Sequence, residues 1–478
     1  MRNFFTVVAV TGLVGVGAVT GTLAAKAGEV YGPYPVTLKG WWGAEKNSVA
    51  YTGQMARHVI HDSLKSLSGK GNGSPNPALK KKMLSYFAGK DAGRAIIAPK
   101  SQKAFKIKQT SVDQISKKKN LAGKTYKGSV PGWPGNKTGK EVILHMIDKA
   151  SAAKKGFDVS TGYDYKQLIS KFVMGAVFYN QAVDNYMDEK LSAKKKPNDK
   201  GYKKGKHYTG KEHSWDEAFG YFGAAAHGLT LTAKQNYEVA KLGKKSKSPE
   251  AALKLADYNG DGVVDLYREM NYAHAYYASA YDKKGKTSYY KDIVQGFIDG
   301  RKLITSAGGE KLSNDQRSKL RAIAADIESN WEKVIAESVF KYAGSVYKDL
   351  EKLNTIMDAN GNIDKAFRKY GKHWGELKGF SMALQAGRKN LGEVAVKMNR
   401  MIGFGPLLPN GSQVVDVDAN GDFIKDQGKS MGEYMLHMLK IQKLMVQEFG
   451  VKARANDKLA SIKGLIEKVG KGDSAEND

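Results

Sequence analysis

No cysteine occurs anywhere in the 478 residues, and this absence excludes whole classes of chemistry. Disulfide staples, thiolate zinc sites, iron–sulfur clusters and thiol nucleophiles all require it. Any metal must be held by histidine, carboxylate, amide, hydroxyl or main-chain oxygen. A chain of this length buries enough apolar surface to fold unstapled. Length alone suggests two or three domains.

Catalytic fingerprints are missing too. There is no Gly-x-Ser-x-Gly elbow, no Walker phosphate loop, no dinucleotide fingerprint opening a βαβ unit and no His-Glu-x-x-His pair. Long apolar runs are confined to the first residues. Phe4 to Val19 follow Arg2 and precede the small-x-small triplet Ala25-Lys26-Ala27. The run is glycine-rich and shorter than the roughly twenty residues a membrane span needs. It reads as a secretory signal peptide over 1–27, with a mature chain of 28–478 in the periplasm, at the cell surface or secreted. No cysteine follows to anchor a lipid, and no later transmembrane candidate appears.

Acidic residues are also in short supply: 48 against 77 basic ones, a net charge of +29. Such a balance favours association with polyanions. The excess is mostly lysine in loops. Nine lysines and a single acid, Asp199, lie between Lys190 and Lys211, and a second basic stretch runs from Lys117 to Lys127. Runs of this kind read as solvated insertions. An anionic envelope component or polysaccharide is a candidate partner beside that reading, a metal ion is another, and nucleic acid is less expected than either.

What remains reads as helix. Leu168, Ile169, Phe172, Val173, Ala176 and Val177 recur at helical spacing, as do Leu320, Ile323, Ile327, Trp331, Ile335, Val339, Tyr342, Val346 and Leu350. Ser313-Asn314-Asp315 supplies a start signal for the second stripe, expected over 314–357. Gly428 to Phe449 forms another helix, and shorter ones are expected at 49–67, 77–88, 139–153, 214–226, 232–242, 265–281, 287–306, 363–385, 388–402 and 456–469. Extended pieces are limited to Tyr31–Leu38 and Ser412–Val417. An all-α architecture of packed bundles follows, and a division into two bundles falls near 190–265. No repeat suggests a solenoid.

Oxygen-rich loops interrupt the helices. Asp257-Tyr-Asn-Gly-Asp-Gly-Val-Val-Asp265 matches the first nine positions of an EF-hand loop, with Asp257, Asn259, Asp261, Val263 and Asp265 as candidate calcium ligands. Arg268 stands at the twelfth position, where a bidentate Glu is usual, and Glu269 follows one residue late. Asp416, Asp418, Asn420 and Asp422 form a second candidate calcium loop. Asp358-Ala-Asn-Gly-Asn-Ile-Asp364 reads as a plain turn.

Two histidine–carboxylate groupings stand out. His373 and Glu376 share a helical face, and His213, Asp216 and Glu217 repeat the pattern upstream. They are candidate metal ligands contributed from different helices, although a surface histidine paired with an acid gives the same spacing. His58, His61 and Asp62 form a weaker cluster. Tyr276-Tyr277 and Tyr289-Tyr290 stand near lysines, a pattern that binds single-stranded nucleic acid or sugars but in a helical chain more often lines bundle interfaces.

Several segments together resemble an uncharacterised family of exported bacterial proteins, the domain-of-unknown-function family numbered 4856. They are Tyr51-Thr-Gly-Gln-Met-Ala-Arg57, His213-Ser-Trp-Asp-Glu-Ala-Phe-Gly-Tyr-Phe-Gly223, Asn330-Trp-Glu332 with Tyr342, and His373-Trp-Gly-Glu-Leu-Lys-Gly-Phe380. That family is similar to imelysin-like proteins, whose Gly-x-His-x-x-Glu motif is matched by Gly371, His373 and Glu376. The resemblance implies two packed helical bundles in an exported binding protein of unidentified ligand, with a metal or ligand site near those residues; iron uptake is the family's association, and iron or zinc the candidate metal. It also implies a rival function, a metallopeptidase using the same residues with a metal-bound water as nucleophile. A third reading is a structural protein held to an anionic envelope by its lysines.

Overall fold

Apolar side chains at three- and four-residue spacing make the described chain almost entirely helical. The computed structural model describes residues 29–102 and 104–469, so the expected signal segment, 1–27, lies outside the described residues. The first helices are α1 (Thr52–Leu67), α2 (Pro77–Phe87), α3 (Gly139–Ala152), α4 (Tyr165–Val173) and α5 (Gly210–Phe222). Then come α6 (Ala233–Ala240), α7 (Pro249–Ala256), α8 (Ala273–Asp282), α9 (Tyr289–Ser306), α10 (Asn314–Asp358), α11 (Asp364–Gln385) and α12 (Glu393–Ile402). A hairpin of β1 (Ser412–Val417) and β2 (Phe423–Gln427) precedes α13 (Met431–Phe449) and α14 (Ile462–Val469). That antiparallel pair is the one sheet among the described residues.

Local chemistry explains the boundaries. At the start of α10, Ser313 Oγ accepts from the Gln316 amide while the Gln316 side chain accepts from the Ser313 amide, a reciprocal cap. Thr209 and Glu212 do the same for α5, which therefore begins at Gly210 rather than at the expected 214. It stops at Gly223, whose φ of +82° ends the helix in the left-handed region. The helix expected from 265 begins only at Ala273. Upstream of it, Glu269 ties up the amides of Tyr258, Asn259 and Asp265, which holds 257–269 as a loop. The short α7, not among the expected helices, is started by Ser248 Oγ accepting from Ala251 N and by Pro249 at its first position.

The long α10 packs against α8, α9, α11 and α13, and α4 lies against α1, α3 and α11. Buried apolar residues from Tyr31 to Leu465 form one contiguous core. Three glycines of α11, four residues apart, bring it close to the α4 region. A Cβ at Gly371 would come within 2.6 Å of the Gly162 carbonyl oxygen, one at Gly375 within 3.1 Å of the Asp164 carbonyl oxygen, and one at Gly379 within 2.6 Å of Lys171 Cβ. From the other side, a Cβ at Gly175 would meet Ala383 Cα at 2.3 Å.

Past Val173 the α4 helix continues with wider π winding over Met174–Tyr179 and again over Gln181–Tyr186. Such winding is uncommon and tends to occur at functional sites. Among the described residues, no helix is long and apolar enough to cross a membrane.

Candidate functional site

The Gly371-to-Glu376 motif sits in the middle of α11, locked by Trp374. Its indole stacks on Tyr163 with ring centroids 5.4 Å apart and donates to Tyr434 Oη at 2.8 Å. Tyr434 in turn donates to the Ile402 carbonyl at 2.8 Å. The two candidate ligands on either side of this anchor face different helices. His373 Nδ1 lies 2.5 Å from Asp349 Oδ2 on α10, an acid that also takes Lys369 at 3.0 Å. Glu376 turns instead toward α4, where its Oε1 lies 3.8 Å from Lys171 Nζ.

Lys171 is the unexpected member. It is 2 % exposed, on a helix whose neighbouring residues Leu168, Ile169, Phe172 and Val173 are all buried. Its ammonium lies over the rings of Tyr277 and Phe380, 5.4 and 5.8 Å from their centroids. The distance to Glu376 is too long for a hydrogen bond. Burial, reinforced by Lys65, holds the Lys171 ammonium well below the usual lysine range against the opposing pull of Glu376.

Beside Lys171 opens a cavity of about 310 Å³. Asp62, Lys65 and Ser66 of α1 line it together with Lys166 and Lys171 of α4, Lys241 after α6, and Tyr272, Tyr276 and Tyr277 at α8. Lys241 lies over Tyr276 at 4.3 Å, and burial, with Lys65 next, pushes it down to about 8. Asp62 is engaged by His61 Nδ1 at 3.1 Å, and His61 Nε2 lies 2.9 Å from the Ser170 carbonyl. The wall therefore carries four lysines and one carboxylate, already partnered, with Glu376 behind it.

The second grouping is split by its environment. Asp216 is fully enclosed and accepts from Tyr31 Oη at 2.7 Å, Ala50 N at 3.0 Å and Arg301 Nε at 3.0 Å. Arg301 also donates to Glu212 at 3.1 Å, with both side chains fully buried. His213 and Glu217 lie 3.7 Å apart, with Glu217 accepting from Gln54 at 2.8 Å. Tyr208 stacks on His213 at 4.4 Å and Tyr202 meets it edge-on at 4.2 Å, and burial pushes the imidazole down to about 4. These tyrosines belong to the lysine-rich segment. The segment is tied at one end, where Lys211 Nζ, itself buried, donates to the carbonyls of Lys190, Ser192 and Lys195, while Lys194, Lys195, Lys200, Lys203, Lys204 and Lys206 stay exposed. Among the described residues, no three or more of His, Asp and Glu converge in an arrangement fit for a metal ion.

In the 257–265 loop, Asp257 accepts from the amides of Asp261 and Gly262, Asn259 from Asp261, and Asp261 from Val263. Glu269 closes the ring with both oxygens, at 3.0 and 3.2 Å from the Tyr258 and Asn259 amides and 2.8 Å from that of Asp265. Asp265 accepts from Gln109 Nε2 at 2.7 Å, Val264 bridges to Ile107, and Lys108 Nζ holds Asp261 Oδ2 at 2.9 Å. The donor set of Asp257, Asn259, Asp261, the Val263 carbonyl and Asp265 suits a hard cation in type, with Lys108 as a competing cation. The second calcium candidate is the tip of the β1–β2 hairpin: Asp418 accepts from Asn420 N and Asp422 N, Asp416 sits at a bulge, and Asp422 pairs with Lys149 at 2.8 Å. The 358–364 segment is the turn joining α10 to α11.

Fold and site together define a mostly helical protein with an open, lysine-lined cavity at the junction of α1, α4, α6 and α8. Over residues 48–253 the chain matches the family described as Domain of unknown function (DUF4856), which bears out the family resemblance read from its motifs. No curated protein and no solved structure matches the chain. The matched stretch holds Asp62, Lys65, Lys166, Lys171 and Lys241, whereas Tyr276, Tyr277 and Glu376 lie beyond it.

Proposed function

We propose that the protein is an exported binding protein of imelysin-like helical type that takes a small ligand in the cavity beside Lys171. One observation carries this reading. A buried ammonium borders a cavity while its nearest acid, Glu376, stands 3.8 Å away. Burying a charge without hydrogen-bonded compensation is costly, and a bound ligand supplies that compensation. The cavity of about 310 Å³ lies at the small end of the range that holds small molecules. Export rests on the signal-like segment at 1–27.

The imelysin resemblance points to iron or zinc at His373 and Glu376. What weighs against a cation beside Glu376 is Lys171, whose charge repels one, and what weighs against His373 as a free ligand is Asp349 at 2.5 Å. A calcium ion at Asp257, Asn259, Asp261 and Asp265 has more support, because those oxygens are gathered in one loop that Glu269 closes. It would clamp the loop and take no part in ligand binding.

The test is a thermal-shift screen of the mature chain, residues 28–478, against anionic, neutral and cationic small solutes, repeated on Lys171→Met. A ligand at about 100 times its Kd adds about 2.7 kcal/mol of stability, readily seen as a rise in Tm. The expected result is at least one solute that stabilises the wild type and not the variant. No shift with any solute would overturn the binding reading.

A further inference from the structure

We propose that the ligand is a small oxyanion, a carboxylate- or phosphate-bearing solute, gripped by Lys171 together with Lys65, Lys166 and Lys241 of the cavity wall. The inference rests on the binding reading above and adds the chemical class of ligand.

Four observations converge. The cavity wall has four cationic side chains against one carboxylate, Asp62, and that carboxylate is spoken for by His61 at 3.1 Å. Lys171 is 2 % exposed and has no hydrogen-bond acceptor among the described residues; Glu376, at 3.8 Å, is its one acidic neighbour within 4 Å. An anion placed against it would provide charge-assisted hydrogen bonds, about twice as strong as neutral ones. Third, the lysines repel one another: burial and then Lys65 hold down both Lys166 and Lys241, and the same two causes act on Lys171. An arrangement that opposes its own charge in the empty state is relieved by a negative ligand.

The fourth observation is how the lysines are held. Gly379 lets α11 lie against the Lys171 stem, and the helix passes into π winding at Met174, which itself lines the cavity. Tyr277 and Tyr276 lie under the ammonium groups of Lys171 and Lys241 at 5.4 and 4.3 Å. The cations are therefore placed by packing and by ring faces, contacts that leave their N–H donors free for oxygen.

The experiment is isothermal titration of phosphate and of citrate into the mature chain at constant ionic strength. Neutral sugars and a polyamine serve as comparison solutes. Wild type is compared with Lys171→Met, with Lys241→Gln at the cavity rim, and with Lys319→Gln on the exposed face of α10. Saturable phosphate or citrate binding that weakens at least tenfold in Lys241→Gln, and is unchanged in Lys319→Gln, is the expected result. If Lys171→Met does not fold, Lys241→Gln alone decides. Equal weakening in Lys241→Gln and Lys319→Gln would assign the binding to the diffuse field of a +29 chain and overturn the proposal. Binding of only a neutral or cationic solute, lost in Lys171→Met, would overturn the oxyanion while keeping the cavity as a binding site. No binding by any solute would overturn both.

Discussion

Lys171 Nζ and Glu376 Oε1 face each other across 3.8 Å, buried between α4 and α11, close enough to attract and too far apart to share a hydrogen bond. The pair connects the Gly-x-His-x-x-Glu motif to the cavity, and it gives Glu376 a role that motif spacing alone does not suggest. Under the oxyanion proposal Glu376 is the counter-charge behind a cluster of lysines; under the metal reading its oxygens are ligands.

Glu376→Gln separates these roles. Removing the carboxylate strands the Lys171 ammonium, so Tm should fall. Because lysine can shed its proton, the loss should be below the roughly 3–5 kcal/mol typical when a buried pair is broken. With the negative charge gone, citrate should bind tighter, by about threefold or more. Titration calorimetry with elemental analysis checks this. Weaker citrate binding together with loss of bound iron or zinc would return Glu376 to the metal.

Stability should rise with pH from neutrality to about 10. Burial pushes Lys378, which donates to the Gly403 carbonyl, down to about 7, and it holds Lys211 and Lys241 at about 8. An unfolded lysine titrates near 10.4. Through that window the unfolded chain binds more protons than the folded one, so each step up in pH favours the fold. Above it the sign reverses. Buried tyrosines such as Tyr221, pushed up to about 12 by burial, keep their protons while unfolded ones lose them near 10. Thermal unfolding in ligand-free buffer from pH 6.5 to 11 should show a maximum near pH 10, and a Tm that falls steadily from pH 7 would contradict it.

Much of this was legible in the sequence, and the limits have physical causes. The α10 stripe through Ile327, Trp331, Ile335 and Val346 repeats with helical period, and the structure buries it from Leu320 to Leu353 of the 45-residue helix. Lys171 escaped because a lysine inside Leu-Ile-Ser-Lys-Phe-Val has no local sign of burial. Its acid partner lies on α11, about two hundred residues further on, and only the fold joins them. His373 was visible as a candidate, yet its partner Asp349 is on the preceding helix. The run from Lys190 to Lys211 looked free because composition registers charge and not the three carbonyls that hold Lys211. Tyr276 and Tyr277 near lysines and Asp62 in its histidine cluster were the local signals of the cavity.

Calcium at the 257–265 loop gives a prediction with an unusual sign. Lys108 Nζ sits 2.9 Å from Asp261 Oδ2, where it competes with a cation for the same oxygen. Lys108→Met should therefore tighten calcium binding, whereas Asp261→Ala should abolish it. Elemental analysis and Tm with and without calcium report both effects. A wild type indifferent to calcium, with Lys108→Met equally indifferent, would leave the loop as a turn closed by Glu269.

The glycines of α11 should be intolerant for a reason unrelated to turns. Gly371, Gly375 and Gly379 are helical, where alanine is ordinarily preferred by about 1 kcal/mol. Here the sign should invert. A Cβ at Gly379 would stand 2.6 Å from Lys171 Cβ, and one at Gly371 2.5 Å from the Phe157 ring. Gly175 is tighter still, at 2.3 Å from Ala383 Cα, where the obstacle is backbone and cannot rotate away. Overpacking of this kind costs about 1–3 kcal/mol or more, so Gly175→Ala should be the worst of the set. Gly379→Ala should also weaken citrate binding, because pushing α11 from α4 moves the Lys171 stem. Gly464 in α14 has nothing within 4 Å of a Cβ, and alanine there should be neutral or stabilising. Denaturant unfolding of the five alanine variants gives the ranking, and a Gly175→Ala as stable as Gly464→Ala would mean that the α4 region and α11 do not meet this closely.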